Sequence, residues 1–187
     1  MRVIAGRARG MRLVAPRGTH TRPTADRVRE ALFSIIQSRF ALEDARILDI
    51  CAGTGSLGIE ALSRGAAFCC FIEKDRDALA ALKKNLSTVR YEACADLLEM
   101  DVFKALNLLA ARGNLFDIVF FDPPYSANLY LAVSEALSNS SLLKTGGLFV
   151  AESDVRNPLP DQVGKFVKSD NRIYGDTVLD FYTLESE

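Results

Sequence analysis

These 187 residues contain no run of about 18 apolar positions, so no membrane-spanning helix is expected. The basic opening MRVIAGRARG lacks an apolar stretch behind it and does not read as a secretory signal. Histidine is nearly absent, His20 being the single one, and Cys51, Cys69, Cys70 and Cys94 make no C-x-x-C pair. That ligand supply does not suit a zinc site, and no metal is expected. The cysteines lie in apolar segments, which fits buried thiols in a reducing cytoplasm. Repeats and low-complexity tracts are missing as well.

Lysine is missing from residues 1–29, which instead hold eight arginines: Arg2, Arg7, Arg9, Arg12, Arg17, Arg22, Arg27 and Arg29. The one acid there is Asp26, so the segment carries +7, and the remaining 158 residues carry −8 of the chain's net −1. A basic arm on an acidic body suits a polyanionic partner met by one end of the molecule. The exclusive use of arginine favours bidentate phosphate contacts or stacking on bases. At 49% hydrophobic and 25% charged, the composition is that of an ordinary globular chain with room for one sizeable core.

Two short apolar runs, 2–5 and 11–14, flank the turn Gly6-Arg7-Ala8-Arg9-Gly10 and predict an N-terminal β-hairpin. Val28, Leu32, Ile35 and Ile36 recur at helical spacing and predict a helix over 25–39. From Arg46 onward, strands and helices alternate. The predicted strands are 46–50, 67–72, 95–100, 116–121 and 147–152, and the helices 57–64, 75–86, 102–111 and 129–138. A closing hairpin, 165–173 and 177–184, turns at Gly175-Asp176. Such alternation demands an α/β fold, a mostly parallel sheet with helices on both faces and one antiparallel strand from the last hairpin. The expected division is an Arg-rich hairpin and helix over 1–40 and a catalytic domain over 41–187.

The strand Ile47-Leu48-Asp49-Ile50 runs into CAGTGSLG, a G-x-G-x-x-G loop opening a helix. Glycines there let backbone N–H groups approach a ligand, and Glu73, 20 residues after Gly53, is placed to accept hydrogen bonds from ribose hydroxyls. Gly53, Gly55 and Glu73 are therefore candidate contacts of an adenosine-bearing cofactor. Asp49 argues against NAD, since a carboxylate is unhelpful beside a pyrophosphate. It suits the ammonium and sulfonium end of S-adenosylmethionine, directly or through water. Asp101, after the third strand, can accept from an adenine amine or cap the next helix, and Lys74 and Val102 beside these acids are further candidate contacts.

The fourth strand ends in FFDPPYSA. Pro123 and Pro124 remove two backbone donors, Asp122 only accepts, and Tyr125 offers a flat face. The matching ligand is a planar base with an exocyclic amine. Acceptors holding its hydrogens would turn its lone pair toward a methyl donor, and Tyr125 would stack on a base taken out of its helix.

DPPY resembles the [DNS]-PP-[YFW] motif of amino-group methyltransferases of nucleic-acid bases, and DICAGTGSLGIEAL resembles their cofactor loop. With VIAGRARGMRL and RPTADRVREALFSII before it, the chain is similar over its whole length to the RsmD family, which methylates the N2 amine of one guanine in bacterial 16S ribosomal RNA. The resemblance implies a Rossmann-like class I methyltransferase fold of seven strands, the last antiparallel, and S-adenosylmethionine as donor. It also implies 16S rRNA in the small ribosomal subunit as partner. By match it makes Gly53, Gly55, Glu73 and Asp101 cofactor residues and Asp122, Pro123, Pro124 and Tyr125 the catalytic loop. Arg7, Arg9, Arg12, Arg22, Arg27 and Arg29 are the candidate RNA contacts. Arg27 or Arg29 can alternatively pair with Asp26 or Glu30. A monomer without membrane partners is expected. The competing readings are a DNA adenine-N6 or cytosine-N4 methyltransferase, an NAD-binding oxidoreductase and a non-catalytic RNA-binding module.

Overall fold

Successive residues of the central strands face opposite sides of one sheet, and each side has its own apolar core. The computed structural model describes residues 1–15, 23–123 and 130–185. Helix α1 (Pro23–Arg39) leads into β1 (Arg46–Ile50), α2 (Ser56–Ser63), β2 (Phe68–Glu73) and α3 (Arg76–Val89). β3 (Ala95–Glu99), α4 (Val102–Ala111), β4 (Phe116–Phe121), α5 (Tyr130–Asn139) and β5 (Leu143–Asp154) continue the alternation. β6 (Gln162–Val163), β7 (Phe166–Tyr174) and β8 (Thr177–Leu184) close it.

The strand order is β3-β2-β1-β4-β5-β8-β7-β6, with β1 to β5 parallel and β8 inserted antiparallel between β5 and β7. The predicted alternation is therefore present, with eight strands among the described residues rather than the seven expected. The extra one is β6, whose two residues are too short to show a pattern. The predicted N-terminal hairpin is a looser object than two strands. One bridge, Arg2 to Arg12, joins its arms, supported by Val3 N–H to the Met11 carbonyl and Leu13 N–H to the Met1 carbonyl.

Ile47, Cys69, Phe71, Ile118, Phe120 and Val150 point to one face, packed by α1, α2 and α3. Their neighbours Leu48, Ile50, Cys70, Ile72, Val119, Phe121 and Phe149 point to the other, under α4 and α5. Val3, Ala8 and Leu13 of the hairpin and Val28, Leu32, Phe33 and Ile36 of α1 belong to the first core. Cys69 and Cys70 are buried free thiols, one on each side. Among the described residues no helix is long and apolar enough to cross a membrane.

A buried charge centre fastens the hairpin to α2. Glu60 is fully buried and accepts the Ile4 and Ala5 N–H groups at 2.8 and 3.0 Å. The same carboxylate takes Arg64 Nε at 2.7 Å and lies 3.9 Å from Arg29 Nε. Ser63 Oγ accepts the Ala8 N–H and donates to the Ala5 carbonyl. This explains an acid inside the apolar stretch SLGIEALS of α2: it completes backbone donors that the hairpin cannot pair internally. Removing one partner of a buried charge network costs about 3–5 kcal/mol. Glu60→Leu is expected to lower the unfolding free energy by about that amount, read from the denaturation midpoint. A change below roughly 1 kcal/mol would show that the hairpin does not depend on this contact.

Candidate active site

The parallel register brings the carboxyl ends of four strands to one edge. Ile50 at the end of β1 pairs with Ile72 on β2 and Phe121 on β4, while Glu73 pairs with Glu99 and Phe121 with Ala151. The strand order reverses between β1 and β4, the switch point where open α/β sheets bind ligands. The loop after β1 (51–55) and the residues after β4, Asp122 and Pro123, flank that point. The sequence-predicted cofactor loop and catalytic strand tip thus stand side by side.

The glycine loop is tightly held. Cys51 adopts φ 59°, Gly53 φ 57° and Gly55 φ 76°. A Cβ on Gly53 would meet nothing nearer than the Cys51 carbonyl at 4.0 Å, so its outer face is open to a ligand. A Cβ on Gly55 would fall 2.2 Å from Leu82 Cδ1, so that glycine is required by packing beneath the loop. Glu73 reaches across from β2. Its Oε2 accepts the Gly53 N–H at 2.8 Å, and its Oε1 accepts the Lys74 and Asp75 N–H groups. A carboxylate offers about four acceptor positions, so about one remains, on Oε2, for a ribose hydroxyl rather than the two expected.

Asp49 differs from its sequence-based expectation. It is 2% exposed, and its Oδ2 accepts the Gly58 N–H at 2.9 Å in the first turn of α2. It lies beneath the loop, where it anchors the start of α2 and presents little surface to the cleft. Asp101 caps α4 through the Phe103 N–H at 3.0 Å, and its other oxygen lies 3.8 Å from Lys74 Nζ, so capping and ligand roles are both open to it. Val102 is buried at the start of α4 and supplies packing there.

At the β4 tip, Pro123 is buried and its carbonyl receives the Tyr130 hydroxyl at 3.4 Å. Pro124 and Tyr125 lie outside the described residues. Asp122 keeps a face open to solvent, yet the surrounding protein, then Glu152 and Asp49, hold its carboxyl well above the usual carboxylate range. Burial, with a contribution from Glu73, pushes Asp49 up to about 8. Burial, then Glu73, Asp49 and Asp122, pushes the Cys51 thiol up to about 12, so it is not a thiolate nucleophile. The cleft is a convergence of carboxylates whose charges resist one another. Such a field suits a cationic ligand and repels a pyrophosphate. Glu152 and Tyr130 escaped the sequence reading. The available signal was an acid closing the buried run LFVAE and an aromatic shortly after DPPY.

The arginines divide. Arg7, Arg9, Arg12 and Arg27 are exposed, and Arg22 lies outside the described residues. Arg29 is a correction: it is 4% exposed, donating to the Arg2 carbonyl at 2.6 Å and to Asp26 at 3.0 Å, and cannot reach a phosphate. Its amphipathic position on α1 faces the hairpin rather than solvent. The Arg7 N–H bonds the Ser63 carbonyl at the far end of α2, about 12 Å of helix from the glycine loop. A groove of about 410 Å³ there, lined by Gly6, Arg7, Gln37, Glu43 and Arg64 among others, belongs to the hairpin's seat and not to the cleft.

Residues 1–183 match the protein-family model described as conserved hypothetical protein 95. Over 187 residues the chain is 35% identical to an Escherichia coli K12 protein named ribosomal RNA small subunit methyltransferase D, covering all of this chain and 91% of that one. The solved structure of yhhF from Escherichia coli superposes with a TM-score of 0.84 at 36% identity, covering 100% and 99% of the two chains. The solved structure of a Thermus thermophilus protein, TTHA0928, does so with a TM-score of 0.85 at 31% identity and the same coverage.

Asp49 makes the ligand-free protein's stability pH-dependent. Its folded pKa, about 8, lies above the unfolded value of 3.8, so the folded state binds the extra proton between those limits. Stability therefore falls as pH rises from about 4 to 8. Asp49→Asn keeps a carbonyl acceptor for Gly58 and is expected to reduce that slope by up to about 1.4 kcal/mol per pH unit. Denaturant unfolding at pH 5, 6, 7 and 8 checks this, and an unchanged slope would contradict it.

Proposed function

From the premise that this chain belongs to the RsmD family, we propose that it transfers the methyl group of S-adenosylmethionine to the N2 amine of a guanine in 16S rRNA, presented in the small ribosomal subunit. One observation carries the reading: Glu73, Asp122 and Glu152 converge on an open glycine loop at the sheet's switch point, with Asp49 buried beneath it. A cation bound among them would favour the ionised forms of Asp49 and Asp122, whereas the phosphates of a dinucleotide would add to the repulsion, which argues against the oxidoreductase alternative.

The residues fit such a donor. Gly53 leaves room for close approach, Glu73 retains an acceptor position for ribose, and Asp101 with Lys74 and Val102 borders the next strand tip, where an adenine would lie. When bound, S-adenosylmethionine supplies an electrophilic methyl group, so no metal is needed. Asp122 and the Pro123 carbonyl accept the two N–H bonds of the guanine amine. Held this way, the nitrogen lone pair is aimed at the methyl carbon. With the donor bound, the amine nitrogen would take the methyl as its bond to sulfur is lost, leaving the neutral thioether and releasing one amine proton. Asp122, with its raised affinity for protons, is placed to take it. In this reading Tyr125 stacks on the base, and Arg7, Arg9, Arg12, Arg22 and Arg27 of an RNA-facing extension over residues 1–40 hold phosphates. Because Arg7 sits in the hairpin against the far end of α2, that contact would be with RNA running along the hairpin rather than beside the target base.

Tritiated methyl transfer to unmodified small subunits, followed by nucleoside analysis, tests the reading: N2-methylguanosine is expected. N6-methyladenosine, or transfer to DNA alone, would replace it with the DNA-methyltransferase alternative. Asp122→Ala is expected to abolish transfer while the Kd for S-adenosylhomocysteine stays within about twofold, and wild-type turnover in that variant would remove the acid from the reaction. Glu73→Ala is expected to raise that Kd about tenfold or more, from loss of charge-assisted hydrogen bonds worth about 1.5–3 kcal/mol. Calorimetric titration reads the change, and an unaltered Kd would contradict the ribose role.

A further inference from the structure

One buried side chain joins the exit of the N-terminal hairpin to the glycine loop. Asn85 lies on the inner face of α3 with no exposed surface, beside buried Leu82 and Leu86. Its Oδ1 accepts the Val14 N–H at 2.7 Å. Its Nδ2 donates to the Val14 carbonyl at 3.0 Å and to the Thr54 carbonyl at 2.9 Å. The first two bonds give Val14 what a neighbouring strand would give. The third reaches the middle of the loop over 51–55. One turn earlier on the same helix, Leu82 packs under Gly55. So α3 supports the loop at two points and grips the arm at one of them.

The chemistry at position 85 is narrow. Two carbonyls and one N–H must be met by a single short side chain, and only a primary amide carries two donors and an acceptor. The opposite orientation of the amide would set NH2 against the Val14 N–H, so the network itself fixes which atom is oxygen. Aspartate would turn a charge toward two carbonyls. Leucine would leave the Val14 N–H and the Val14 and Thr54 carbonyls without this partner, at partly buried positions.

We propose that Asn85 is a positioning residue that makes the arm's exit and the cofactor loop one cooperative unit, so that a ligand on the loop orders the arm and RNA on the arm tightens the loop. The proposal rests on the function given above. It predicts an effect at a distance, because Asn85 bonds both Val14 and Thr54 and so links the arm to the loop. The linkage is reciprocal: whatever factor RNA adds to cofactor affinity, cofactor adds to RNA affinity.

Amide hydrogen exchange on the full-length chain, with and without saturating S-adenosylhomocysteine, tests it without any RNA. In the unmodified protein, exchange in a peptide covering residues 11–15 is expected to slow by roughly fivefold or more on ligand binding, the lower end of ordinary coupling. In Asn85→Leu the same peptide is expected to exchange at one rate in both conditions, while loop peptides still gain protection. Val14→Pro removes the arm's donor without altering α3, and is expected to give the same loss if Asn85→Leu does not fold. A merely structural asparagine would lower melting temperature and leave ligand-induced arm protection intact. Protection that persists in both variants, or that is missing from the unmodified protein despite calorimetric binding, overturns the proposal alone. Failure of S-adenosylhomocysteine to bind at all overturns the proposed function and this inference together.

Discussion

The parallel register of β1 between β2 and β4 is the constraint from which the rest of the site follows. With Ile50 level with both Ile72 and Phe121, the three chains leave the sheet at one height. The residues that come next, Cys51, Glu73 and Asp122, are then forced together whatever their charge. The fold accepts several carboxylates in one cleft because the backbone hydrogen bonds and two apolar cores beneath them are worth more than the repulsion. Part of the repulsion is relieved by proton uptake at Asp49 and Asp122, and Glu73 is relieved by three backbone N–H groups. A cation arriving in the cleft relieves the remainder, which is how stored electrostatic cost becomes binding selectivity.

A second centre of charge does the opposite job. Glu60, Arg29 and Arg64 form a buried group at the other end of α2, and with Asp26 on Arg29 two carboxylates face two guanidiniums. Its role is to seat the N-terminal hairpin on the sheet. One short helix therefore has a cluster of acids near its first turn and paired opposite charges near its last. Residues 1–15 bond the last turns of α2 through Ile4, Ala5 and Ala8, and Val14 is linked to the loop before α2 through Asn85 of α3. The arm that is expected to meet RNA is thus built into the same core that shapes the cofactor loop.

Much of this was legible in one dimension. β1, β4, β8 and α4 begin and end where alternation and helical spacing place them, because their patterns are long and their ends carry Asp, Gly or Pro. The glycine loop, Glu73 and Asp122 were legible because each is a chemical oddity at the end of an apolar strand. Arg29 was misread for the converse reason: counting charge along a segment does not show which guanidinium turns inward, and only the approach of the Arg2 carbonyl and Asp26 makes burial of that one tolerable. β6 was invisible because two residues carry no period. Asn85 and Glu60 were missed although each is a polar residue on an apolar helical face, since the hairpin and loop groups they bind lie 31 to 71 positions away.

The order of apolar and polar residues, and of glycine, proline and acid between them, is enough to determine an alternating α/β sheet, a nucleoside-type loop and an acceptor-rich strand tip, because these depend on local geometry and side-chain chemistry alone. Which carboxylates face the cleft and which lie beneath it, which arginines are exposed, and how the N-terminal arm is tied to the loop were decided only by packing in three dimensions. Burial, dielectric surroundings and hydrogen-bond partners are properties of neighbours in space, and distance along the chain does not encode them.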